Sequence, residues 1–206
     1  MKKPLQRFIL GVIIWFPITF FIWYITAGYH LAPIAWLSNQ LFAAWMPDAV
    51  MWIKLQSDPI QGHILVLASN FGQNSSGQIT SPPTGMDALG FHLNPLIYSY
   101  SLPLLYSLIL ASPEKEKWLK MIWATFLIIP TELFSMVFSI LKTLTFDVGI
   151  AFQQQQGLEP ITIDAIAIGY QAGTLIIPMV APLIIWVAMH RKFLEKLAPQ
   201  IKNQLG

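Results

Sequence analysis

The chain has no cysteine, few charges and, apart from a Gln153–156 run, no low-complexity tract. Without cysteine there is no disulfide, no thiolate metal site and no cysteine nucleophile. Charged residues make up only 11% of the 206 positions, too few to solvate a wholly water-exposed surface. The histidines are also sparse. His30, His63 and His92 fall in the polar parts of the chain and His190 at the end of the last apolar stretch, so no apolar run has an interior imidazole to activate a serine. His30, His63 and His92 share a region with Asp58 and Asp87, but none shows the His-x-x-x-His or His-Glu-x-x-His spacing of a zinc site, and they read as surface or interfacial side chains. No catalytic residue, metal site or cofactor is expected.

What is present is apolar. Hydrophobic residues account for 55% of the chain, and they gather in four stretches at 8–27, 95–111, 118–141 and 164–190. A bilayer core takes about 20 apolar residues at roughly 1.5 Å each. The fold class expected is therefore a mainly α membrane protein with four transmembrane helices. Lys2, Lys3 and Arg7, then Lys115, Lys117 and Lys120, then Arg191, Lys192, Lys196 and Lys202 place ten of the twelve basic residues on one side of such a bundle. The positive-inside rule makes that side cytoplasmic, with both termini inside. Residues 28–94 and 145–163 fall outside, with Lys54 their one basic residue against Asp48, Asp58, Asp87, Asp147 and Glu159. The sequence pI of about 8.8 thus reflects topology, and no nucleic-acid partner is implied. The first apolar run exceeds a signal-peptide h-region and reads as an uncleaved anchor.

Three segments follow: 1–27 as N-terminus and first span, 28–94 as an outer module, and 95–206 as the remaining spans and tail. Within the module, residues 33–45 repeat apolar side chains at helical spacing, and 50–57 and 61–69 are strand-like runs joined at Asp58-Pro59-Ile60. Residues 70–85 read as a loop with at most one short strand, and 86–93 as a last strand. The insert is accordingly β-rich over 49–93. Asn94-Pro95 is a helix start, and Ser112-Pro113-Glu114 repeats its logic, with Ser112 as cap of the third span. Ala165, Gly169 and Gly173 form a small-residue stripe along the fourth span, suited to close helix packing in lipid. Proline recurs in every span (Pro17, Pro103, Pro130, Pro178 and Pro182), so bent helices are expected.

Glu132 is the strongest candidate for chemistry. An acidic residue at the centre of a membrane helix costs roughly 2.5–3.5 kcal/mol on insertion scales, so it tends to face protein or water. Two readings stand: a packing carboxylate that ties helices together, or a proton carrier or general base. Ser99, Tyr100 and Ser101 in the second span, with Tyr170, Gln171 and Thr174 in the fourth, are its candidate hydrogen-bond partners.

The basic N-terminus with its Trp-rich first span, the outer β-like module, the Asn-Pro-Leu-Ile-Tyr-Ser-Tyr-Ser-Leu-Pro-Leu-Leu run at 94–105 and the Pro-Thr-Glu of the third span together resemble the small exosortase H-associated membrane proteins. That resemblance implies a multi-pass protein of the bacterial inner membrane whose partner is an exosortase-type transpeptidase. Exosortases use an intramembrane cysteine, so the resemblance does not make this chain the sorting enzyme. An accessory or scaffold subunit is the reading it supports, with a membrane enzyme or proton-coupled carrier using Glu132 as the alternative.

Overall fold

The computed structural model describes residues 2–58, 62–74, 76–83 and 88–197. Of the features expected from sequence, Pro59, Ile60, Met86, Asp87 and Lys202 lie outside them. The first helix, α1, runs from Lys2 to Trp45 without interruption. Its 44 residues extend about 66 Å at 1.5 Å each, twice a bilayer core, so α1 cannot lie wholly within one. Residues 33–45, expected as a short helix of their own, are its distal end. Pro17 and Pro33 are accommodated within it.

Four strands follow: β1 (Val50–Asp58), β2 (Gly62–Gln73), β3 (Ile79–Thr80) and β4 (Ala88–Leu93). They form one antiparallel sheet in which β2 is central, pairing with each of the others. The expected loop at 70–85 is therefore shorter than its composition implies, because β2 continues to Gln73. Asn94 Oδ1 accepts the Leu96 N–H at 3.0 Å, the capping bond that its sequence position suggests. The next apolar segment is broken at Tyr100 into α2 (Leu96–Ser99) and α3 (Ser101–Ala111).

The second long helix, α4 (Lys117–Lys142), continues as a wide π turn over Thr143–Val148 and stops at Gly149, whose φ of 77° suits glycine. A short α5 (Ile150–Gln155) precedes α6 (Pro160–Gln171), a second π turn (Ala172–Ile176), α7 (Ile177–Met189) and α8 (Arg191–Leu197). The mostly helical chain thus has three stretches long and apolar enough to cross a membrane, Leu5–Trp45, Lys117–Val148 and Pro160–Met189, and a shorter apolar one, Leu96–Ala111. Ser112 is not the cap of α4. It closes α3, its Oγ donating to the Leu108 carbonyl at 2.8 Å and accepting the Trp186 indole N–H at 2.9 Å, and α4 begins only at Lys117. The buried indole captured the hydroxyl that local sequence logic assigned to a helix start.

Two compact units divide the chain. The first comprises 1–26, 99–131 and 177–206. There α3 lies against α7, Phe8 stacks on Trp186 with ring centroids 5.0 Å apart, and Gly11 lets α1 approach α3 so closely that a Cβ would sit 3.1 Å from that of Ala111. The second comprises 27–98 and 132–176. Along α1 its buried residues Ala27, Leu31, Ile34, Ser38 and Phe42 repeat at helical spacing. Leu65, Leu67 and Phe71 of β2 are fully enclosed, and each large apolar side chain removed from water in this way contributes about 1.5–3 kcal/mol. In register on either side of β2 lie Leu55 and Ile53, then Leu93 and Phe91, so one face of the sheet is continuously apolar. Asn39 Oδ1 accepts the N–H of Ile53 at 2.8 Å, tying β1 to α1. Phe152 of α5 meets Phe71 edge to face, with centroids 6.1 Å apart.

Candidate functional site

Within the second unit, the side chain of Glu132 on α4 is 2% exposed, and its Oε2 lies 2.6 Å from Nε2 of His30 on α1, itself 10% exposed. The separation is that of a charge-assisted hydrogen bond. A buried carboxylate that keeps a hydrogen-bond partner is partly compensated, which lowers the penalty for placing it on an apolar helix. His30 owes its position to the continuity of α1. The histidine was expected on the outer surface; instead the helix continues past Ala27 without a break and delivers the imidazole to α4. Two residues earlier, Gly28 accommodates the ring of His63 from β2, where a Cβ would lie 2.7 Å from the nearest ring atom. The His63 ring also lies 3.3 Å from Ser57 Oγ.

The sequence names Ser99, Tyr100, Ser101, Tyr170, Gln171 and Thr174 as candidate partners for Glu132. Ser99, Tyr100 and Ser101 belong to the first unit; Ser99 and Ser101 are buried, and Ser99 Oγ is without a hydrogen-bond partner among the described residues. Gln171 is exposed. Thr174 donates to the Tyr170 carbonyl at 2.7 Å, a bond within its own helix. Of the small-residue stripe, Ala165 is exposed, whereas Gly169 and Gly173 are buried against α4: a Cβ on Gly169 would overlap the Phe138 ring, and one on Gly173 would come within 3.0 Å of the Ser135 Cα. A signal that could have found His30 was present, since the helical spacing of buried apolar positions runs from Ala27 to Phe42 and carries His30 along with it.

A polar cavity of about 230 Å³ also lies within this unit. Tyr98, Ser139, Tyr170, His92 and the Lys142–Asp147 pair line it, with Tyr98 donating to Ser139 Oγ at 2.6 Å and Lys142 Nζ 3.0 Å from Asp147. Among the described residues no group of three or more His, Asp or Glu side chains could hold a metal ion. His190, at the end of the last apolar stretch, is buried, its Nδ1 3.0 Å from the Trp186 carbonyl and its Nε2 3.9 Å from Glu114.

Apolar helices of membrane-crossing length, a small antiparallel sheet and a carboxylate–imidazole contact between α1 and α4 define a mostly helical membrane protein. The chain matches the family described as exosortase H-associated membrane protein over residues 2–193, nearly its whole length, and belongs to that family. No curated protein and no solved structure matches it.

Proposed function

We propose that this chain is a non-enzymatic accessory or scaffold subunit of a bacterial inner-membrane sorting system, docking to an exosortase-type transpeptidase and presenting its β module to the periplasm. Four crossings place both termini in the cytoplasm. The family's association with an exosortase supports the partner, and the ten basic residues on one side support the orientation. The observation that carries the non-enzymatic reading is the burial of Glu132: the carboxylate is closed against His30, and it lines neither the polar cavity at Tyr98 and Ser139 nor the one at Ile64 and His92. A largely enclosed interhelical hydrogen bond is what a packing role needs. Affinity purification of the full chain in mild detergent, followed by mass spectrometry of what accompanies it, tests the assignment. Recovery of an exosortase is the expected result; recovery of the chain alone under conditions that preserve known membrane complexes overturns it.

The imidazole gives the alternative a specific basis. A histidine and a carboxylate sharing a proton are the parts of a proton relay, so a membrane enzyme or proton-coupled carrier using Glu132 is the second reading. A Glu132→Gln chain that folds and fails to support cargo processing favours it, because an amide cannot titrate.

A further inference from the structure

The first unit contains an open cavity of about 530 Å³, lined by Glu114, Lys115, Glu116 and Lys120 from the α3–α4 connection and by Ala188, Met189, Arg191 and Lys192 from the α7–α8 junction. Its charges are unevenly used. Lys120 is paired with Glu114 and lies 3.3 Å from the Met189 carbonyl, and Lys117 just outside donates to the Leu110 carbonyl at 2.6 Å. Lys115, Arg191 and Lys192 make no ion pair among the described residues, and Glu116 is the one further carboxylate in the lining. Three cations against the single Glu116 carboxylate leave the concavity with an excess of positive charge that an anion would offset. The N-terminus of α4 opens beside them with no acidic residue in its first turn, so the positive end of the helix dipole adds to the same field.

The surroundings indicate what kind of anion. Trp118, 77% exposed, Leu119 and Ile122 continue along α4 from the cavity, and Ile184 and Val187 do so along α7, so an apolar surface leads directly away from the cations. A ligand with a charged head and hydrocarbon chains satisfies both parts at once. We propose that this cavity binds a phosphate-bearing anion through Lys115, Arg191 and Lys192, supplied by the headgroup of an anionic phospholipid whose chains lie along α4 and α7.

The test uses the purified full chain in detergent, titrated separately with phosphatidylglycerol, phosphatidylcholine and inorganic phosphate, with the melting temperature and the number of lipids retained in native mass spectrometry as readouts. Phosphatidylglycerol is expected to raise the melting temperature saturably and to be retained, phosphatidylcholine to do neither. Each cation neutralised should weaken binding by about fivefold, so Lys115→Gln with Arg191→Gln and Lys192→Gln should abolish it, while Lys54→Gln leaves it intact. If the triple variant does not fold, Lys192→Gln alone, read as lipid retained per chain, serves the same purpose. Stabilisation by inorganic phosphate that is lost in the variant supports the anion site and assigns its ligand to solution. Equal effects of the two lipids without any response to phosphate, or a phosphatidylglycerol effect that survives the substitutions, overturns the proposal.

Discussion

Replacing Glu132 separates a packing carboxylate from a titrating one, and the His30 contact sets the magnitudes. In Glu132→Ala the imidazole, 10% exposed, loses an acceptor 2.6 Å away and keeps little access to water, a loss of about 1–3 kcal/mol for an orphaned polar group. At roughly 2–4 °C per kcal/mol for a chain of this size, the melting temperature in detergent should fall by about 2–12 °C. Glu132→Gln keeps a carbonyl oxygen at the same place to accept from Nε2–H and should cost well under half as much. His30→Ala in combination with Glu132→Ala should be less damaging than the two effects added, with a coupling of about 0.5–3 kcal/mol, because either change alone already breaks the contact. The assay is thermal unfolding followed by tryptophan fluorescence on the parent, Glu132→Ala, Glu132→Gln, His30→Ala and the double variant, with complementation of cargo sorting in cells. Strictly additive losses would refute the contact. A Gln variant as unstable as the Ala variant would show that the charge, not the hydrogen bond, holds the helices.

Gly173→Ala should destabilise by about 1–3 kcal/mol, since its Cβ meets the Ser135 backbone at 3.0 Å, and the melting temperature will report it; a neutral result would mean that the turn at Gly173 stands further from Ser135. Ser112→Ala should cost about 1–3 kcal/mol by stranding the buried Trp186 indole N–H, and Trp186→Phe should make the same change nearly harmless, an outcome that a helix-capping role for Ser112 does not predict. Amide exchange should be slow in β2, particularly from Ile64 to Phe71, and fast from Ser76 to Pro83; uniformly fast exchange would mean that the sheet needs its partner to form. Reporter fusions at Ser76 and Gln155 should read periplasm and those at Lys117 cytoplasm, and a cytoplasmic signal at Ser76 would invert the orientation.

Much of this molecule is legible along one dimension. Membrane character, the basic asymmetry, the strands around residues 50–57 and 61–69, and the helix start at Asn94 each depend on side chains within a few positions of one another, so summed hydropathy, charge counts and period-two alternation suffice. The family resemblance at 94–105 belongs to the same local record. What the chain alone could not decide is where an amphipathic helix stops and which distant groups it meets. Gly28 and Pro33 read as helix stop signals, yet α1 runs through both to Trp45, packed against the sheet with Gly28 under the His63 ring and Asn39 on the Ile53 amide. The Glu132–His30 hydrogen bond then joins residues 102 positions apart. Ser112 went the same way, since a hydroxyl adjacent to a proline reads as a cap until a buried indole 74 positions later competes for it. A buried polar group must find a partner somewhere, and which partner it finds is decided by the tertiary packing that brings distant segments within hydrogen-bond reach.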